Sequence, residues 1–229
     1  MVRKTAMIIG NSDGIGLAVT RRLLDGGWTI VGISRSASTI QSNARYRHHV
    51  AEVQRPEYAT SVEATLKENE QLDLCIYCAG IGEVLDTERL TTEELVFEVN
   101  LMGLIRTVAI VVPHMIRRRQ GHIIGLSSVA DQLVSGDAPS YHASKAGVSS
   151  YLEGLALAMK SHGISVTNVR FGFVDTKMAK GDVKPLMMSA DRAAAHVLHC
   201  IERRPIRYTA PKAVIPLVSL RKWMMRLRG

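Results

Sequence analysis

At 229 residues, 46% hydrophobic and 22% charged, the chain suits one buried core in a single domain and is too apolar for a disordered polymer. Its formal net charge of +8 invites a nucleic-acid reading, but the cations read as dispersed and aromatic residues make up only 5%, so no stacking platform and no nucleic-acid partner are expected; anionic ligands or surfaces suit the excess better. Three cysteines without framework spacing fit a reducing compartment, and no continuous apolar run nears the roughly 18 residues of a membrane span, so a cytoplasmic protein is expected.

Thr5 to Ile9 reads as an apolar strand, followed directly by Gly10-Asn-Ser12-Asp13-Gly14-Ile15-Gly16 and an amphipathic helix, Ile15 to Leu24. Three residues without Cβ atoms let the backbone turn tightly and approach a pyrophosphate, whose charge would sit at the helix N-terminus. The absence of a following Gly-Lys-Ser/Thr argues against a nucleotide-triphosphate loop, and a ligand-free turn is the competing reading. The second strand, Thr29 to Ser34, ends in Ser34-Arg35-Ser36 with no acid between Ile30 and Ile40 to accept from an adenosine ribose. Arg35 instead offers charge-assisted bonds to a 2′-phosphate, which predicts NADP over NAD. An ordinary exposed Arg is the alternative, NAD stays open, and Asp13 adds a nearby negative charge.

Further along, the pattern predicts a short strand near His49, a helix from about Pro56 to Glu68, a strand Leu72 to Cys78, a long helix from Thr91 to about Arg119, a strand His122 to Leu126, a helix from Tyr141 to about Ser161 and a strand Ile164 to Phe171. This alternation predicts an α/β fold, a doubly wound parallel sheet with helices on both faces. Gly26-Gly27 and Gly163 sit where helices should end, Thr91-Thr92-Glu93-Glu94 where hydroxyls and carboxylates would cap the long helix, and Arg117-Arg118-Arg119 at its solvated C-terminus. Cys75 and Cys78 resemble a metal or redox pair, but residues three apart on a strand point to opposite faces, so buried thiols are expected.

Tyr141-His-Ala-Ser-Lys145 places a phenol and an ammonium four apart on one helix face. A neighbouring cation favours phenolate, bringing a group of pKa about 10 nearer neutral pH and making Tyr141 a candidate general acid/base. Ser128 follows a strand at the rim where open α/β sheets bind ligands, and its hydroxyl can orient a carbonyl. Each feature alone has a plain reading: an incidental Tyr and Lys on a helix surface, a turn serine, a glycine-rich turn. Their order and conjunction carry the weight.

Together these motifs resemble the short-chain dehydrogenase/reductase family from Val2 to about Tyr208. The resemblance implies a Rossmann-like single domain in which Tyr141 exchanges the proton, Lys145 binds the nicotinamide ribose and lowers the Tyr pKa, Ser128 holds the substrate oxygen and Asn100 supports a proton relay. It also implies cofactor contacts from the glycine loop, from Ser34 and Arg35, from Glu52 and Val53, from Ala79 and Gly80, and from Gly172, Val174 and Thr176. Departures are Ile9 for a Thr, Glu52 for an Asp, Cys78 for an Asn that braces the sheet and Phe171 for a Pro. The implied activity is carbonyl reduction or the reverse, on a ketone, aldehyde or 3-oxoacyl group, in a homodimer or homotetramer. The rival is a regulator or scaffold that binds cofactor with little turnover.

The substrate pocket should draw on residues after Ser128 and on the segment between Val174 and Asp191, with Met178, Leu186, Met187 and Met188 supplying an adaptable apolar lining or simply core filler. His196 and His199 read as helix-surface residues rather than metal ligands. Beyond a domain of residues 1–212, residues 213–229 read as a basic amphipathic helix. Leu217, Leu220, Trp223, Met224 and Leu227 lie opposite Arg221, Lys222, Arg226 and Arg228, for packing on protein or, as the second choice, peripheral contact with an anionic membrane.

Overall fold

The computed structural model describes residues 4–41, 43–69, 71–178 and 186–226. Its elements are β1 (Thr5–Ile9), α1 (Gly14–Asp25), β2 (Thr29–Ser34), β3 (Tyr46–Val50), α2 (Pro56–Glu68), β4 (Leu74–Tyr77), α3 (Thr91–Phe97) and α4 (Gly103–Arg118) joined by a π-turn at Glu98–Met102, and β5 (Gly121–Ser128). After a short 3₁₀ turn at Val129–Gln132 come α5 (Pro139–Met159), β6 (Ile164–Phe171), β7 (Val174–Asp175), β8 (Met188–Ser189), α6 (Ala190–Arg203), β9 (Arg207–Ala210) and α7 (Val214–Arg226). β1, β2, β6 and α2 fall where periodicity puts them; β4 is shorter than the predicted Leu72 to Cys78.

Seven parallel strands run in the order β3-β2-β1-β4-β5-β6-β9. Alternation along β1 explains both cores. Met7 and Ile9 join Ile33, Tyr58, Val62, Leu104, Val111 and Leu152 beneath α2, α4 and α5. Ala6 and Ile8 join Val19, Leu23, Ile76, Ala193 and Val197 beneath α1 and α6. Chain order reverses between β1 and β4, so the crevice at their C-terminal ends is the topological switch point at which such sheets take ligands.

The stretch Thr91–Arg118 is long and apolar enough to cross a membrane by length and composition, which continuous runs alone did not reveal, but half of its most apolar 18-residue window is buried within the domain. Its inner stripe of Val96, Asn100, Leu104, Thr107, Val108, Val111 and Met115 is core-facing. The expected Thr caps are absent: Leu90 is the N-cap, the Thr92 hydroxyl donates to the Arg89 carbonyl, and Glu93 accepts from the Ser140 N–H in the first turn of α5. Nor is the Arg triplet wholly solvated. Arg118 donates to the Leu72 carbonyl at 2.8 Å and approaches Asp73 at 3.7 Å, while Arg119 ends the helix with φ 51°. Gly27 (φ 81°) and Gly163 (φ 75°) end their helices as expected.

Cys75 and Cys78 do pack against opposite cores, and burial raises both thiols to about 12. His196 meets the Tyr208 hydroxyl at 2.8 Å and His199 packs on the Tyr208 ring, so both histidines serve packing.

Candidate active site

The glycine loop is shaped first by the protein's own backbone. A Cβ on Gly10, at φ 82°, would lie 2.6 Å from the Ala79 nitrogen, and one on Gly16 would lie 2.2 Å from the Gly10 carbonyl oxygen. Gly14, at φ 53°, faces Thr176, where a Cβ would come within 3.1 Å of the Thr methyl. Ser12 and Ile15 remain partly open to solvent. Asp13 caps α1 by accepting from the Gly14 N–H at 2.8 Å, and Lys177 pairs with it at 2.7 Å. Lys177 first, and the Gly14 N–H second, hold the Asp13 carboxyl below its usual range. The negative charge that Asp13 brings to the loop is therefore met by a cation, and no acid occupies the first turn of α1. That N-terminus fits a pyrophosphate.

At the end of β2, Arg35 is exposed and makes no ion pair among the described residues, which fits a phosphate-binding role. Ser34 donates to the Ser36 carbonyl at 2.8 Å. Beneath this loop runs a chain that sequence reasoning missed: Asn11 donates to the Tyr46 hydroxyl at 2.8 Å, Tyr46 meets His48 Nδ1 at 3.0 Å, and His48 Nε2 meets the Ser36 carbonyl at 3.0 Å. A carbonyl only accepts, so His48 carries its hydrogen on Nε2, and burial lowers its pKa and keeps it neutral. Gly32 makes room for this chain, because a Cβ there would fall 2.0 Å from the Asn11 amide nitrogen. A glycine amid Thr-Ile-Val and Ile-Ser was the available signal of close approach. Beyond the end of β3, the Val53 side chain is buried against Gly103, and Glu52 accepts from Gln54 at 2.7 Å.

The four candidate catalytic residues converge at the C-terminal ends of β4 and β5. Asn100, 1% exposed, sits in the π-turn, where its Oδ1 accepts from the Ile81 N–H at 2.8 Å and its Nδ2 donates to the Ile81 carbonyl at 2.9 Å and the Ser144 hydroxyl at 3.0 Å. What sequence alone presents as a polar kink is a clamp between the loop after β4 and α5. Lys145, 5% exposed, donates from Nζ to the Leu126 carbonyl at 2.9 Å and lies 5.9 Å from the Tyr141 ring centroid. Ser128 lies near enough to the Tyr141 phenol to lower its pKa, and its hydroxyl donates to the Phe171 carbonyl at 3.3 Å. Gly80 and Gly82 give this cluster its space. A Cβ on Gly80 would lie 3.3 Å from Asn100 Oδ1 and 3.5 Å from Lys145 Nζ, and one on Gly82 would lie 3.3 Å from the Tyr141 ring.

The electrostatics differ from the sequence expectation. Burial raises the Tyr141 phenol above its ordinary value, partly offset by Ser128, and burial drives Lys145 down to about 8. Lys145 is directed at the Leu126 carbonyl and the face of the ring rather than at the phenolic oxygen, so desolvation prevails over ion pairing.

The far wall is the turn after β6, where Gly172 donates to the Ala210 carbonyl at 3.0 Å, Val174 starts β7, and Thr176 reaches back to Gly14. Met178 covers Gly80 and Gly82. Met188 is core, 4% exposed, whereas Leu186 and Met187 are exposed; residues 179–185 of the expected pocket segment lie outside the described residues. A depression of about 640 Å³, lined by Lys67, His114, Arg117 and Arg118, sits at the opposite, strand N-terminal edge and includes none of these groups.

A parallel sheet with a glycine loop at its switch point and a buried Tyr–Lys–Ser–Asn cluster beside it defines a dinucleotide-dependent oxidoreductase. The family model for short chain dehydrogenase matches residues 4–186, and the chain belongs to that family. It is 32% identical to the 3-oxoacyl-acyl-carrier-protein reductase FabG of Vibrio cholerae over 188 residues, 77% of this chain and 76% of that protein. The FabG of Escherichia coli is 30% identical over 185 residues, covering 77% and 76%. Among solved structures, a short-chain dehydrogenase from Streptomyces avermitilis superposes with TM-score 0.85 at 23% identity, covering 99% of this chain and 95% of its own. One from Burkholderia cenocepacia in complex with NADP gives 0.83 at 20% identity, covering 95% and 92%.

Proposed function

We propose that this oxidoreductase uses NADPH to reduce an apolar carbonyl compound, a ketone, aldehyde or 3-oxoacyl thioester, to its alcohol. The observation that carries the reading is the gathering of Asn100, Ser128, Tyr141 and Lys145 within one crevice beside the glycine loop. Relatives named as 3-oxoacyl-acyl-carrier-protein reductases support the acyl option, and a structural neighbour crystallised with NADP supports the cofactor class.

Bound nicotinamide would supply the hydride for the carbonyl carbon. Ser128 holds the carbonyl oxygen, and Tyr141 gives that oxygen its proton as the C–O bond becomes single. Burial keeps Tyr141 protonated at neutral pH, the form that reduction needs. Lys145 lends positive charge to the ring face and the ribose side of the crevice, and Asn100 fixes the Ile81 loop that forms the wall. The long helices are the proposed surface of a homodimer or homotetramer. NADPH consumption across a panel of carbonyl compounds, with product identification, tests the whole reading, and no consumption with any class would overturn it.

Two further outcomes follow from single groups. Arg35→Ala should weaken NADPH binding by about 10- to 100-fold, the worth of charge-assisted hydrogen bonds, while leaving NADH affinity unchanged. Equal losses for both cofactors, read by fluorescence titration, would remove Arg35 from the phosphate site. Because the buried Lys145 loses its proton near pH 8, reduction should slow as pH rises through that value. Lys145→Met should be slow throughout and lack this limb; a profile unchanged in that variant would assign the limb elsewhere.

A further inference from the structure

The net charge is not spread over the chain as its sequence first suggests. Of 29 Lys and Arg residues, eight lie beyond Glu202, the last acid, so the first 202 residues hold 21 cations against 21 acids and the whole excess of +8 resides in residues 203–229. Only Arg207 among these has an acidic partner, Glu153, within the described residues.

α7 occupies this cationic stretch. Val214 and Val218, one turn apart and 6% and 7% exposed, attach it to the domain beside Val129 and Gln132. At about 100° per residue, Leu217, Leu220 and Trp223 point away from that attachment, and they are 49%, 54% and 59% exposed. Exposed Arg221 and Lys222 flank them. An apolar outward stripe with a large aromatic ring, on a helix without acids whose exposed cations have no acidic partner among the described residues, has the character of a helix lying in a membrane interface.

We propose that α7 docks this enzyme on an anionic lipid bilayer, its apolar stripe entering the interface and its cations meeting lipid phosphates. A second copy of the chain is the poorer occupant, because an isologous contact would press two acid-free cationic segments together. The position has a consequence for the site. α7 follows β9 at the strand C-terminal edge, and a Cβ on Gly172 would lie 3.6 Å from both Pro211 and Val214. The bilayer would therefore meet the edge of the sheet that carries the crevice, where an apolar substrate could arrive from lipid.

The test is co-sedimentation of the full chain with phosphatidylcholine vesicles with and without phosphatidylglycerol, alongside Trp emission. Binding should favour the anionic vesicles, with a blue shift that Trp223→Phe removes. Loss of each cation should weaken partitioning about fivefold, so Arg221→Glu with Lys222→Glu should abolish it, and Leu220→Ser should weaken it as well. NADPH affinity serves as the check that each variant is folded. No preference for anionic vesicles, indifference to the charge reversals, or a blue shift that follows protein concentration without vesicles and so marks self-association would each overturn the proposal. The readout needs no turnover, so it stands or falls apart from the proposed reaction.

Discussion

Replacing Tyr141 by Phe is expected to lower carbonyl reduction by about 10² to 10⁴ in turnover while leaving NADPH affinity little changed, the range for loss of a positioned proton donor. The substitution is a clean one because the ring, not the hydroxyl, makes the packing contacts. It lies against Gly82, and its face is 5.9 Å from the Lys145 ammonium. Phe keeps both relations and removes only the proton and the partner of Ser128. Stopped-flow hydride transfer and equilibrium NADPH titration on the same preparation separate the two effects. Full activity in the Phe variant would mean that another group supplies the proton. Burial raises the phenol, so the reverse reaction, which needs phenolate, should gain rate with pH where reduction does not.

Much of the fold was legible because both faces of the sheet are apolar and the strands are short and bounded by turn residues. Thr5–Ile9, Thr29–Ser34, Pro56–Glu68 and Ile164–Phe171 end where periodicity, glycines and prolines put them. What escaped was decided by partners distant in sequence. The π-turn at Asn100 follows from two hydrogen bonds to Ile81, 19 positions away, and nothing local to Glu98–Met102 announces it. β9 is a four-residue edge strand, half exposed, that becomes a strand by pairing with β6. Thr91 and Thr92 look like caps, yet Leu90 takes the N-cap position and Glu93 is drawn to the neighbouring helix instead.

The site shows the same division. Tyr141, Lys145, Ser128 and the glycines are readable because their spacing on one helix, one strand end and one loop already constrains where they can meet. The sense of the Tyr141 shift was not readable, since spacing places an ammonium near a phenol but says nothing of how much water either group loses. The Asn11–Tyr46–His48 chain was equally hidden: its members lie 35 and 2 positions apart and acquire meaning only once β3 is laid beside β2.

Asp131→Ala is expected to destabilise the fold by about 3–5 kcal/mol, the cost of breaking a buried ion pair from one side. The Asp131 and Arg170 side chains are 5% and 7% exposed, and the carboxylate accepts from Arg170 Nε and Nη2 at 2.6 Å each and from the Ser149 hydroxyl at 2.6 Å. Truncation would leave the guanidinium buried with Thr209, at 3.3 Å, as its remaining partner. At this chain length such a loss corresponds to roughly 10 °C or more in Tm. Asp131 lies three residues beyond Ser128, and it holds the Ser149 hydroxyl, which in turn lies 2.8 Å from that of Ser127, so the pair also holds the rim that carries Ser128 in register. Activity of the folded variant should therefore fall at temperatures well below its transition. Replacing both partners together, Asp131→Leu with Arg170→Met, should cost less than Asp131→Ala alone, because no charge is then left unpaired. Urea denaturation of the single and double variants decides the matter: a double variant less stable than Asp131→Ala would show that shape, not the uncompensated charge, sets the loss.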